Sequence, residues 1–149
     1  MDRHRYRMLL EDLCDHAGLA RREQFLSDGL LRIHGADVHL RHDEDFDAGH
    51  LQARIDFGPA PEQRRQDIWR GLLATNFEWG QGGYLVFSLI PDDEHVVLSI
   101  RHALTDDLNG SELAAWLGFA VREGQSHWSR IVQAPGMPSP LPLHWETSV

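Results

Sequence analysis

Apolar residues at helical spacing open the chain. Tyr6, Leu9, Leu10, Leu13, Cys14 and Ala17 form one stripe, with Arg5, Arg7, Glu11, Asp12 and Asp15 mostly off it, which predicts an amphipathic helix stopped at Gly18. Beyond the turn signal Ser27-Asp28-Gly29 the period changes from helical to alternating. Leu30-Leu31-Arg32-Ile33-His34 and Val38-His39-Leu40-Arg41-His42 alternate about Ile33 and Leu40 and predict two short strands. From His50 to Phe57 the alternation has no fault: Leu51, Ala53, Ile55 and Phe57 face one way, His50, Gln52, Arg54 and Asp56 the other. That pattern belongs to a sheet with one buried face and one wet face.

Gly58-Pro59-Ala60-Pro61 ends this strand, and Pro61 suits the first turn of a helix. Ile68, Trp69, Leu72, Leu73, Asn76 and Phe77 repeat at i, i+3 and i+4, predicting a helix from about Glu62 to Glu78 that Gly80, Gly82 and Gly83 break. Tyr84 to Ile90 and His95 to Leu104 then bracket the polar connection Pro91-Asp92-Asp93-Glu94, which predicts an antiparallel hairpin. Because Tyr84-Leu85-Val86-Phe87 is apolar on both faces, this strand needs a second layer, from a helix on one side and a subunit on the other. Asn109 caps a last helix with Glu112 reaching back, and Leu113, Trp116, Leu117, Ala120, Val121, Trp128 and Ile131 make its stripe before Pro135. Residues 134–149 carry Pro135, Pro138, Pro140 and Pro142, so an extended or mobile tail is expected after a single domain over 1–133. The order is helix, three strands, helix, two strands, helix: an α+β fold with a mainly antiparallel twisted sheet packed with helices.

Composition narrows the function. The 149 residues suit one core, and no run of apolar residues is long enough to span a bilayer, so membrane insertion is not expected. Acids inside the first helix disfavour an export signal, and the single cysteine allows no internal disulfide, so the expected location is cytoplasmic. A formal charge of −9 repels a phosphate backbone, so no nucleic-acid partner is expected. All 14 basic residues are arginine, which removes P-loop, kinase-lysine and Schiff-base chemistry.

No group of residues suggests catalysis. The pairs His39 with His42 and His95 with His102 are separated by odd numbers, so in strands they face opposite sides and cannot chelate one ion; no metal is expected. Asp106 to Glu112 lacks the spacing of a calcium loop, and Gly80-Gln81-Gly82-Gly83 follows a helix where phosphate loops follow a strand. Cys14 lies on an apolar stripe, where a thiol is raised in pKa and inert. The acidic run Asp43 to Asp47 reads as a solvated hairpin loop, with contact to a basic partner as the functional alternative. No catalytic, cofactor-binding or metal residue is assigned. Apolar positions are in surplus, however, and surplus apolar surface points to an interface.

The stretch from Asp47 to Ile131 resembles the core of the class I type III secretion chaperones, the Tir-chaperone family. The resemblance rests on the strand ending Phe57-Gly58-Pro59, the helix ending Leu72-Leu73-Ala74-Thr75-Asn76-Phe77, Gly82-Gly83 before the hairpin, and Asn109-Gly110 before a long helix with Trp128. It implies a small acidic cytoplasmic homodimer that binds a secreted effector before export, without ATP, cofactor or catalysis. The expected effector surface is Leu9, Leu10 and Leu13 with Leu31, Ile33, Val38 and Leu40, and the expected dimer interface is Ile68, Trp69, Leu72, Phe77, Leu85 and Phe87. The rival readings are a small enzyme using Asp and His in a cleft, or a related regulatory domain without an effector.

Overall fold

The computed structural model describes residues 2–79 and 85–135. The predicted order of long elements is present, with two short helices added. Helix α1 (Arg3–Ala17) begins at Asp2, whose carboxylate accepts from the Arg5 N–H, and ends at Gly18 in the left-handed region. Helix α2 (Arg22–Asp28) follows where the sequence predicts only a turn. It has no side-chain cap and holds because Phe25 is driven into the core. Strands β1 (Leu30–Ile33) and β2 (Ala36–His42) are joined by His34 and Gly35, both at positive φ, as in the tight turn that matches strand twist. The acidic run is a further correction: Glu44–Asp47 form one helical turn, α3, because the Asp43 carboxylate accepts from the N–H groups of Asp45 and Phe46.

Strand β3 (His50–Pro59) buries Leu51, Ala53 and Ile55 and turns His50, Gln52, Arg54 and Asp56 toward water, as its alternation requires. The helix expected from Glu62 starts as a 3-10 turn over Glu62–Arg64 and becomes α4 only at Arg65–Trp79. Strands β4 (Leu85–Leu89) and β5 (His95–Ala103) form the second hairpin, and α5 (Gly110–Gln133) opens with the capping box of Asn109 and Glu112. The glycines expected to break α4, Tyr84 and most of the proline-rich stretch fall outside the described residues.

All pairings are antiparallel, in the spatial order β1-β2-β3-β5-β4. One face carries Val38, Leu40, Leu51, Ala53, Ile55, Leu98 and Ile100, all buried beneath α1 and α5. Leu13, Leu113, Leu117 and Val121 fill the layer between helices and sheet, each contributing about 1.5–3 kcal/mol by burial. Gly124 brings α5 so near that a Cβ there would lie 3.1 Å from Leu98 and 3.2 Å from Phe57. Helix α4 packs on β4 and on the end of α5, and no described helix covers the opposite face of the sheet, where Val97 is buried and the polar residues of β3 are partly exposed.

Candidate protein-binding surface

The two edges of the sheet differ chemically. On β1 the Gly29 carbonyl accepts from the Leu40 N–H at 2.8 Å, so the backbone groups of Leu31 and Ile33 face β2 and those of Leu30 and Arg32 turn outward. Asp28 takes the Leu30 N–H at 2.9 Å, leaving the Arg32 N–H and C=O facing out along this edge. Among the described residues no strand lies beyond β1. On β4 the situation is reversed, because α4 runs beside that edge and Asn76 acts as a strand of one residue. Its amide nitrogen donates to the Phe87 C=O at 2.9 Å and its oxygen accepts from the Phe87 N–H at 2.8 Å.

A groove of about 590 Å³ borders the β1 edge, lined by Leu19, Phe25, Leu30, Leu31 and the stem of Arg32, with Gln24 and Asp37 at its polar margin. Leu30 is 53% exposed there. The sequence pattern does not single out Leu19, Phe25 or Leu30 for this role: α2, which supplies the groove's second wall, has too few apolar residues to show a period.

Of the residues expected to bind a partner, Leu31 and Ile33 are half-buried at this edge. Leu9, Leu10, Leu13, Val38 and Leu40 lie in the core instead, since β2 is an interior strand and the α1 stripe is covered by α5 and the sheet. The residues expected at a dimer interface divide in the same way. Ile68, Leu72 and Phe87 are buried within the chain, and Leu85 is half-buried. Trp69 is half-buried too, with the Arg65 guanidinium 6.0 Å from its ring centroid. Phe77 is 86% exposed, and Leu73, one turn before it on the same side of α4, is 69% exposed. Leu73 belongs to the helical repeat seen in the sequence, but the pattern gives no means of separating the two faces of a doubly apolar helix.

Residues 9–127, most of the chain, match the Tir chaperone protein (CesT) family. The chain belongs to that family. No curated protein matches it. In this Tir-chaperone-family chain several titratable groups stand in pairs. His50 Nδ1 lies 2.8 Å from Asp47, whose carboxyl is held below the usual range by that contact and by Arg101. His102 stands on the opposite face of the sheet, edge-on to Trp116, so the two histidines do not share a cleft. His39 and His42 are likewise on opposite faces, and among the described residues no three potential ligands cluster for a metal. Burial raises the pKa of the Cys14 thiol. No described helix is long and apolar enough to cross a membrane.

Proposed function

We propose that this chain is a type III secretion chaperone that holds a non-globular segment of a cognate effector soluble and ready for export. It acts in the cytoplasm, as a homodimer, by binding and not by catalysis. The observation that carries the reading is the asymmetry of the sheet edges: β1 offers outward backbone groups beside an apolar groove, while Asn76 occupies the middle of β4. An extended segment added to β1 satisfies its own backbone there and buries apolar side chains against Leu30, Leu31 and Phe25. Family membership supports the same reading. The exposed Leu73 and Phe77 supply an apolar stripe for the second copy, since a stable dimer needs a surface of this kind.

The test is copurification from the native cell, identification of the partner by mass spectrometry, and protease protection of its bound segment. Ile33→Asp should abolish copurification while light scattering shows an unchanged dimer. Undiminished protection by a folded Ile33→Asp variant would rule out the β1 edge as the binding surface.

A further inference from the structure

The wet face of the sheet carries a feature that an apolar groove does not explain. Register places Arg41 of β2, Gln52 of β3 and Arg101 of β5 in one row across three strands, with Arg54 two residues along β3 and diagonal to Arg41. Strand geometry sets that diagonal at about 7–8 Å. Arg101 is balanced by Asp47, which also takes the contact from His50. Arg41 and Arg54 are in no ion pair with a described residue. Together with burial, their charge lowers the pKa of the neighbouring His39. Helix α3 walls one end of this basin, a hollow of about 480 Å³, and places Phe46 on its rim with 91% of its surface exposed. Two acids line the basin, Asp47, which holds Arg101 and His50, and Asp43, which accepts from the N–H groups it caps; Glu44 and Asp45 of α3 line a different hollow, beside Arg3 and Tyr6.

We propose that this basin binds an acidic, extended stretch of the partner polypeptide, with carboxylates at alternate positions on Arg41 and Arg54 and an apolar neighbour against Phe46. Side chains two apart in an extended chain are about 6.6–6.8 Å from each other, close to the diagonal separation of the two arginines. A guanidinium presents a fork that grips a carboxylate through two bonds. A small anion on the arginines leaves the exposed Phe46 ring without a partner, whereas a peptide with an apolar neighbour covers it. The chain as a whole is at −9 and repels acids, so a local basic basin directs an acidic segment to one place. The inference takes its polypeptide ligand from the chaperone function proposed above.

The experiment measures fluorescence anisotropy of a labelled peptide with glutamate at alternate positions and one phenylalanine, against the same peptide with glutamine, using the full chain. In about 50 mM salt the glutamate peptide should bind at least about tenfold more tightly, and about 500 mM salt should erase the difference. Arg41→Glu with Arg54→Glu should abolish binding, and the milder Arg41→Gln with Arg54→Gln should weaken it at least about tenfold with an unchanged circular dichroism spectrum. If the charge reversal does not fold, the glutamine pair decides. Equal binding of the two peptides, an unaffected glutamine-pair variant, or displacement of the peptide by equimolar inorganic phosphate would each overturn the proposal. No effector is present in this assay, so its failure leaves strand addition at β1 standing, and failure of the Ile33→Asp test leaves the peptide result intact.

Discussion

Gly110 donates its backbone N–H to the Asp12 carboxylate at 2.6 Å, and a Cβ on Gly110 would come within 2.4 Å of the Asp12 carbonyl carbon and the Leu13 nitrogen. The start of α5 is therefore laid directly on the backbone of α1, and no side chain fits between them. Gly110→Ala must move one helix off the other, at a cost of about 1–3 kcal/mol or more. Urea unfolding should show a lower midpoint with an unchanged slope; an unchanged midpoint would mean the helices are not this close.

Asn76 and the backbone of Phe87 make a comparable joint at the other end of the molecule. Asn76→Leu keeps the branching at Cγ but leaves both Phe87 groups without their partner, a loss of about 2–3 kcal/mol. It also opens an apolar strand edge, so association that rises with concentration should appear in light scattering. A stable, non-associating Asn76→Leu variant would show that β4 is protected by something else.

The alternation of β3 makes its two faces legible from the sequence, because one side meets water and the other meets α5. Helices α1 and α5 are legible for a similar reason, each carrying one long apolar stripe. The period of α2 is hidden, since only the adjacent Phe25 and Leu26 anchor it, and α3 is a single turn created by Asp43 within an acidic run. The candidate site is only half legible. Nothing in the apolar alternation of β1 and β2 says which strand is the edge, and the pairing of β2 with β3 places Val38 and Leu40 inside.

His95 and Asp56 give a pH-dependent contribution to stability. The Asp56 carboxylate accepts from His95 Nδ1 at 2.9 Å, which raises the imidazole pKa above its ordinary 6.5. This contribution is complete below about pH 6.5 and is lost as pH rises through the higher folded value. His39 and His127 are shifted down and act in the opposite sense, so the comparison must be with Asp56→Asn. Between about pH 6 and pH 8 the native chain should lose stability relative to that variant in urea titrations. Parallel curves would show that the pair contributes nothing.

The two sides of α4 predict opposite outcomes. Leu73→Asp with Phe77→Asp, on the exposed side, should give a folded monomer by light scattering and circular dichroism. Ile68→Asp, fully buried one face away, should unfold the chain. A persistent dimer in the first variant would move the interface away from this stripe.

The claim that a partner segment joins the sheet at β1 is tested most directly by amide hydrogen exchange at Arg32. Its N–H points away from β2, along the edge where an added strand would accept it. With the partner bound, exchange at Arg32 should slow by at least about tenfold while the Phe87 amide, already held by Asn76, changes little. Unchanged exchange at Arg32 in a complex that forms and survives purification would contradict strand addition at β1.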